Sequence, residues 1–280
     1  MLKASNIQYE IDGRLQGISH GGIGLIHMLA KKTGLLKEID KQLELLKRHL
    51  PYHESDHVAN MAYNILAGGT CLQDIELLRN DNAWLNALGA QMIPDPTTAG
   101  DFLRRFSQED IIDLMDVKNT IRKGIWEKQP KSFKEEAIIN IDGTISETSG
   151  ECKQGMDIAY NGKWGYAPLV VSLEKTREPL YIINRSGNSP SHLGSAQWVD
   201  KALDITEGTF KKIAVRGDTD FSLSEHFDKP YRMIVLRKTI NEFKGERLLF
   251  DDIRYFFYIT NDRQKSMLNH VDFIKTFRFT

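Results

Sequence analysis

The chain has 280 residues, of which 41% are hydrophobic and 27% charged, and its formal net charge is −1. This composition excludes a chain that is disordered for lack of apolar residues, and it offers no global positive field for nucleic acid. Two cysteines exclude a disulfide framework, and no apolar stretch reaches the roughly 20 residues that a membrane helix needs. We therefore expect a soluble cytoplasmic protein of about two domains.

The first part of the chain shows the apolar spacing of helices. Two helices separated at Gly34 are predicted first, and residues 108–128 are predicted as a long helix. The turn that precedes this region predicts an N-cap at Thr97 or Thr98. Together these patterns predict an all-helical N-terminal domain over residues 1–130.

A polar stretch with a proline, residues 129–136, marks the predicted domain boundary, and beyond it the apolar period becomes that of strands. Helical spacing returns once, in residues 189–205. β-branched or aromatic runs bounded by turn residues predict six strands, at residues 137–142, 168–174, 179–185, 211–217, 231–237 and 254–260. This order predicts an α/β domain over residues 131–280, in which a mixed sheet is flanked by helices.

Two of the predicted strands end in a carboxylate: "AIINID" in Asp142 and "KIAVRGD" in Asp218. If these strands are neighbours in one sheet, the two acids emerge side by side and repel each other unless a cation neutralises them. Mg²⁺ and Mn²⁺ prefer such oxygen ligands, and a metal pair can act on a phosphodiester. Two independent strand-end turns are the alternative interpretation of the spacing alone.

Two further groups of residues have a structural and a functional interpretation. Arg216, just before Asp218, could contact a phosphate or pair with an acid at the site. His53 and His57 are four residues apart on a predicted helix, a spacing that permits metal binding. No third ligand is evident for them, so a metal site there is not favoured.

DNA binding could involve either of two segments. Residues 55–80 could form a helix-turn-helix, but the second helix is acidic and has Arg79 as its cation, which favours a plain helical hairpin. Residues 117–134 are basic and could neutralise phosphates, with a solvated helix face as the alternative. The candidate cations in that segment include Lys118, Arg122 and Lys123.

Six stretches, taken in order, resemble the DDE transposases of bacterial insertion sequences. The resemblance is to DDE group 1, in the subgroup typified by the insertion sequence numbered thirteen-eighty, and it covers about residues 18–260. The stretches are "SDHVANMAYNILAGGTCLQDIELLRNDNAWLNALG", "PDPTTAGDFLRRF", "IDGT", "NGKWGYAPLVVSL", "INRSGN" and "VRGDTDF".

The resemblance implies an RNase H-like fold and an enzyme that cuts and joins DNA at transposon ends with two divalent metals, Mg²⁺ or Mn²⁺. Asp142 would be the first catalytic acid and metal ligand, and Asp218 the second. It also implies a bacterial, nucleoid-associated protein, and a homodimer is a further expectation. The residues then expected to contact DNA are Arg185, Asn188, Arg216, Lys118, Arg122 and Lys123.

The sequence departs from the family pattern after the second acid. Thr219 and Asp220 stand where the family has serine and glycine. The family's third acid is a glutamate with a tyrosine or arginine before it and a lysine after it, and Glu225, Glu242 and Glu246 do not match that pattern. We therefore expect a truncated transposase that is inactive by itself. The alternatives are a DNA-binding remnant that represses intact enzyme and a non-functional fragment.

Overall fold

A computed structural model of the chain describes residues 17–150, 153–217, 221, 232–243 and 246–260, the last two ranges by their backbone alone. The chain divides into two compact units, Met1–Gly124 and Ile125–Thr280. Among the residues so described, no helix is long and apolar enough to cross a membrane.

The elements assigned in residues 17–124 are helices. Gly34 separates the first two, as predicted, and has a φ of +81°, a backbone conformation that glycine adopts without strain. The helices are α1 (Ile23–Thr33), α2 (Leu35–Gln42), α3 (Glu54–Leu66), a 3₁₀ helix (Leu72–Asp74), α4 (Ile75–Arg79), α5 (Asn82–Leu88), α6 (Pro96–Leu103) and α7 (Gln108–Glu127), whose last residues belong to the second unit.

The N-cap of α6 is Asp95, so the predicted cap at Thr97 or Thr98 is wrong. The Asp95 carboxylate accepts hydrogen bonds from the backbone N–H groups of Thr97 and Thr98, at 2.9 and 3.0 Å. Pro96 then occupies the first helical position, where its missing N–H costs nothing. Both threonines therefore lie inside the first turn.

Two apolar clusters hold the helical unit together. The larger one surrounds Trp84 and Ile75, which are 1% and 0% exposed, and Ala99 belongs to the same cluster. The smaller one joins Ile39 and Leu43 with Val117 of α7. Burial of these side chains gives the short helices a stability that their length alone would not provide.

The second unit contains a mixed sheet of four strands in the order β6-β5-β1-β7. β1 pairs antiparallel with β5, β5 antiparallel with β6, and β1 parallel with β7. Three short strands between β1 and β5 form a small sheet of their own, and the last two strands form a hairpin. The elements are β1 (Glu136–Gly143), β2 (Ser146–Glu147), β3 (Asp157–Ile158), β4 (Trp164–Tyr166), β5 (Leu169–Leu173), β6 (Glu178–Ile183), α8 (Ser195–Thr206), β7 (Lys212–Arg216), β8 (Arg232–Phe243) and β9 (Glu246–Thr260).

All six predicted strands correspond to observed strands, although the last two are longer than predicted. The hairpin of β8 and β9 pairs Arg232 with Thr260 and continues to Phe243 opposite Glu246. The three short strands were not predicted, because segments of two or three residues are too short to show a period. The predicted helix in residues 189–205 begins later, at Ser195.

The two faces of the four-stranded sheet differ in polarity. One face carries the buried apolar residues Ile139, Ile141 and Val171, and α8 packs near it through Trp198, whose ring lies 5.3 Å from that of Tyr181. Side chains two residues apart on a strand share a face. The opposite face of β1 therefore carries Asn140 and Asp142, the first of the two predicted acids.

Candidate active site

The first predicted acid stands at the end of a buried strand. In β1, Ile139 and Ile141 are 0% and 5% exposed, whereas Asp142 is exposed to solvent. The crowding of protein atoms around its carboxyl group raises the pKa of Asp142, and the N–H of Gly143 opposes that effect in part. The strand therefore presents a carboxylate whose ionised form would gain from a nearby cation.

The strand that leads to the second predicted acid is the parallel neighbour of β1. Asn140 lies opposite Arg216 in the register, and each of the two residues is followed two positions later in the sequence by one of the predicted acids. Gly217 stays close to β1, because a Cβ atom there would lie 2.9 Å from Cγ2 of Ile141. Asp218 itself, with Thr219, Asp220 and Glu225, lies outside the described residues.

A row of polar side chains crosses the sheet beneath Asp142. Ser172 and Arg216 are the register partners of Asn140 on its two sides, so the three share a face. Arg216 forms an ion pair of 2.5 Å with Glu174, which follows β5. Oδ1 of Asn140 is buried and has no hydrogen-bond donor among the described residues. The row thus provides one paired cation and one amide oxygen that lacks a partner.

Arg185 organises the loop that joins β6 to α8. Its Nε donates to the carbonyl of Ala167 at 3.0 Å, and its Nη1 donates to the carbonyls of Pro190, Ser191 and Leu193 at 3.3, 3.0 and 2.9 Å. Burial lowers the pKa of Arg185. The Arg185 side chain therefore binds backbone carbonyls of the protein itself, whereas Asn188 of the same loop is exposed.

The same loop packs closely on two glycines. Ser191 lies against Gly143, where a Cβ atom would be 2.9 Å from the serine Oγ. A Cβ atom on Gly187 would collide with the carbonyl oxygens of Asp157 and Gly165 in the small sheet. The stretch "INRSGN" thus belongs to a loop that is fixed beside Asp142, whereas the resemblance implied DNA contacts for its residues Arg185 and Asn188.

The three basic residues predicted on α7 have different exposures. Arg122 is only 9% exposed and donates a hydrogen bond to Asn119, whereas Lys118 and Lys123 are half-buried. Burial, and then the charge of Arg122, lower the pKa of Lys118. DNA contact by these residues and by Arg185, Asn188 and Arg216 stays a prediction.

The predicted histidine pair is not brought together by α3. His57 is 3% exposed, and its ring stacks on Phe102 at 4.3 Å, so it belongs to the core of the helical unit. Burial lowers the pKa of His57, as expected for an imidazole that has lost water. His53 is exposed and lies instead beside His49, with ring centroids 5.5 Å apart.

Sequence reasoning missed Asn140 and Ser191. Asn140 lies within the predicted strand "AIINID", where a polar residue at an inner position was the available signal. Ser191 gave no such signal, because its position against Gly143 depends on the path of the whole loop.

The chain is similar to known transposases in sequence and in structure. The family model for the transposase DDE domain, group 1, matches residues 1–230. No curated protein matches the chain. A solved structure, the piggyBac transposase synaptic complex with hairpin DNA, is similar with 11% sequence identity and a TM-score of 0.36. That alignment covers 88% of this chain and 65% of the other.

The family model covers most of the chain, and this extent decides the assignment. The chain belongs to the family of DDE transposases that share the group 1 domain.

Proposed function

We propose that this transposase chain acts on DNA through a divalent-metal site built on Asp142 and Asp218. The observation that carries the proposal is the parallel pairing of β1 and β7, because each strand leads to one of the two acids. Gly217 against Ile141 supports it, since these are the residues immediately before the acids. An RNase H-like sheet is part of the same proposal.

The oxygen atoms at this end of β1 suit a hard cation. Asp142 offers a carboxylate, and the buried Oδ1 of Asn140 lies on the same face, with no donor among the described residues. Such oxygens are the ligands that Mg²⁺ and Mn²⁺ prefer. A pair of these ions, when bound, would supply the charge that activates the attacking oxygen and stabilises the leaving oxygen of a phosphodiester.

The protein's own contribution is to hold these groups in place. Asp142 is fixed by β1, and the loop secured by Arg185 fixes Ser191 against Gly143 beside it. Arg216 is held by Glu174, so its charge stays at the strand end next to the site. Fixed groups matter because a displacement of about 1 Å can lower a rate on the order of a hundredfold.

We propose transposon ends and target DNA as the substrates, in a bacterial, nucleoid-associated protein that acts as a homodimer. Asn188 is the exposed member of the predicted contacts, and Lys118 and Lys123 are half-buried. Arg122 and Arg185 have partners within the protein, so we propose that they shape the DNA-contacting surface more than they touch it. Arg216 remains an auxiliary cation beside the site.

Nicking of a supercoiled plasmid in Mn²⁺ tests the function, together with salt-dependent binding of duplex DNA. Nicking that is lost in Asp142→Asn and Asp218→Asn but kept in Asp200→Asn would support the cutting activity. Asp200 is a suitable control because it is an exposed acid on α8. Nicking that survives both of the first two changes would contradict the proposal.

The same assay also tests the prediction that the 280-residue chain is inactive. That prediction expects Mn²⁺ binding through Asp142 and Asp218 without nicking, because no third acid is assigned. DNA binding that survives Asp142→Ala, with no cleavage at any metal concentration, would favour the repressor alternative. Measurable nicking by the wild-type chain would contradict the predicted inactivity.

A further inference from the structure

We propose that the helical unit carries a second, independent metal site, formed by His49, His53 and Glu54 and suited to Zn²⁺. It lies where the segment between α2 and α3, residues 43–53, meets the start of α3. The inference rests on the geometry of these three side chains, and it does not depend on the proposed action on DNA.

The three residues offer their ligand atoms to a common point. One nitrogen from each imidazole and one carboxylate oxygen of Glu54 all lie within 4.8 Å of one another. The two imidazole rings are stacked at 15° to each other. In a tetrahedral zinc site with bonds of about 2.0–2.1 Å, ligand atoms are ~3.4 Å apart. Small side-chain rotations would therefore bring the three into place.

Glu54 is oriented for this role by the segment itself. One carboxylate oxygen, Oε1, accepts hydrogen bonds from the backbone N–H groups of Leu45 and Leu46, at 3.1 and 2.9 Å. The other, Oε2, lies 3.2 Å from Nδ1 of His49. Hydrogen bonds to the oxygen that does not ligate are how proteins commonly fix a metal-binding carboxylate.

The charge balance also favours a cation. The Glu54 side chain is 1% exposed, whereas that of His49 is 51% exposed. His49 is a cation only when it is protonated. Arg105, a nearby cation, donates a hydrogen bond to the carbonyl of Leu45 at 3.2 Å. The backbone N–H donors already hold Glu54 as a carboxylate, and a bound metal would add, from the solvent side, a cation that does not depend on protonation of His49.

The ligand types identify the metal. Two imidazoles disfavour Mg²⁺ and Ca²⁺, which take oxygen ligands, and they suit Zn²⁺ and its neighbours in the transition series. Two histidines and one glutamate form a known zinc ligand set that leaves the fourth position to water. Because His49 belongs to the segment and His53 precedes α3, the bound ion would fasten the segment to the helix.

Calorimetric titration of Zn²⁺ into metal-free protein tests the site, with X-ray absorption to identify the ligands. We expect one saturable Zn²⁺ per chain, with nitrogen and oxygen ligands at about 2.0–2.1 Å. His49→Ala and His53→Ala should each weaken binding at least ~10-fold, the smallest loss that even an outer partner of a metal ligand typically causes. Both histidines are exposed, so the folded state should persist, and the unfolding curve without metal checks that it does.

Two controls separate this site from others. His20→Ala removes a histidine of the same unit outside the cluster and should leave Zn²⁺ binding unchanged. Asp142→Asn should also leave it unchanged, so failure of the proposed DNA chemistry would not be mistaken for failure of this site. Absence of saturable binding, or binding that survives loss of both His49 and His53, would overturn the proposal.

Discussion

Gly217 lies directly against Ile141: a Cβ atom on the glycine would be 2.9 Å from Cγ2 of the isoleucine and 3.0 Å from Cδ2 of Phe221. Ile141 immediately precedes Asp142, and Gly217 immediately precedes Asp218, the two acids on which the proposed metal site depends. Space, and not a special backbone angle, therefore explains the glycine between β7 and Asp218.

Gly217→Ala is expected to destabilise the protein by about 1–3 kcal/mol, the usual cost of overpacking. The neighbouring methyl group belongs to a buried, β-branched side chain that cannot easily move away. Denaturant unfolding measures the change. Gly124→Ala is the matched control, because nothing lies within 4 Å of its Cβ position in α7. That change should stabilise the chain by up to about 1 kcal/mol, and equal effects of the two substitutions would contradict the packing argument.

Arg185→Ala is expected to loosen the loop beside Asp142, because four backbone carbonyls lose a hydrogen bond from the guanidinium group. Two of these hydrogen bonds, to Ala167 and Ser191, are partly buried, so the expected loss of stability is about 1.5–3 kcal/mol, the usual range for hydrogen bonds to a charged group. Arg185→Lys should not restore it, because one ammonium group cannot reproduce the spread of the guanidinium donors.

Hydrogen exchange of residues 184–194, with unfolding curves, measures the effect of Arg185. Arg104→Ala serves as the control, since Arg104 is 76% exposed in its ion pair with Asp101. A surface change of that kind should alter stability by less than about 0.5 kcal/mol. Unchanged exchange of the loop in Arg185→Ala would show that the arginine does not hold it.

The raised pKa of Asp142 predicts a pH-dependent effect of Asp142→Asn. A raised folded-state pKa means that ionisation disfavours the folded state, so this contribution is absent below the usual aspartate pKa and unfavourable above the raised one. The asparagine variant should therefore be more stable than the wild type at neutral pH without metal. The difference should vanish as the pH falls through the usual aspartate range.

Thermal unfolding of both proteins across that pH range, in chelator, measures this difference. In a His53→Ala background, which removes the second proposed site, added Mn²⁺ should stabilise the protein with Asp142 and not the Asp142→Asn variant, because the ion binds the carboxylate. A variant that is less stable than the wild type at neutral pH in chelator would contradict the assigned cause of the shift.

The ion pair between Arg216 and Glu174 predicts a coupling between the two positions. Their side chains are 35% and 19% exposed, so solvent screens the pair and the coupling energy should be about 1 kcal/mol or less. A double-mutant cycle with Arg216→Ala and Glu174→Ala measures it. A coupling energy of zero would mean that Arg216 is not held by Glu174, and its position beside the site would lose its support.

Much of the second unit could be predicted from local sequence. The apolar runs that became β1, β5, β6 and β7 are bounded by turn residues, and burial on at least one face made them easy to recognise. The sequence also predicted that the two acids would lie side by side if their strands were neighbours in one sheet. Sequence alone does not show that β1 and β7 are adjacent, because that depends on how the intervening strands and α8 return the chain to the sheet.

The parts that could not be predicted depend on contacts between distant residues or on choices between similar ones. The family resemblance implied a DNA contact for Arg185, yet the side chain binds carbonyls that lie on both sides of it in the chain. Asp95 and Thr97 are both good N-caps, and the position of Pro96 favours the aspartate. The spacing suggested a pair of His53 and His57. In the structure His57 is buried in the core, and His53 lies beside His49 instead.

The most direct test of the proposed site is calorimetric titration of Mn²⁺ into the chain, into Asp142→Asn and into Asp218→Asn, all carrying His53→Ala to remove the second proposed site. Asp200→Asn in the same background is the control. The proposed site predicts saturable binding in the parent and in the control, and its loss in both of the other variants. Binding that is absent from the parent, or that persists in both Asp142→Asn and Asp218→Asn, would contradict it.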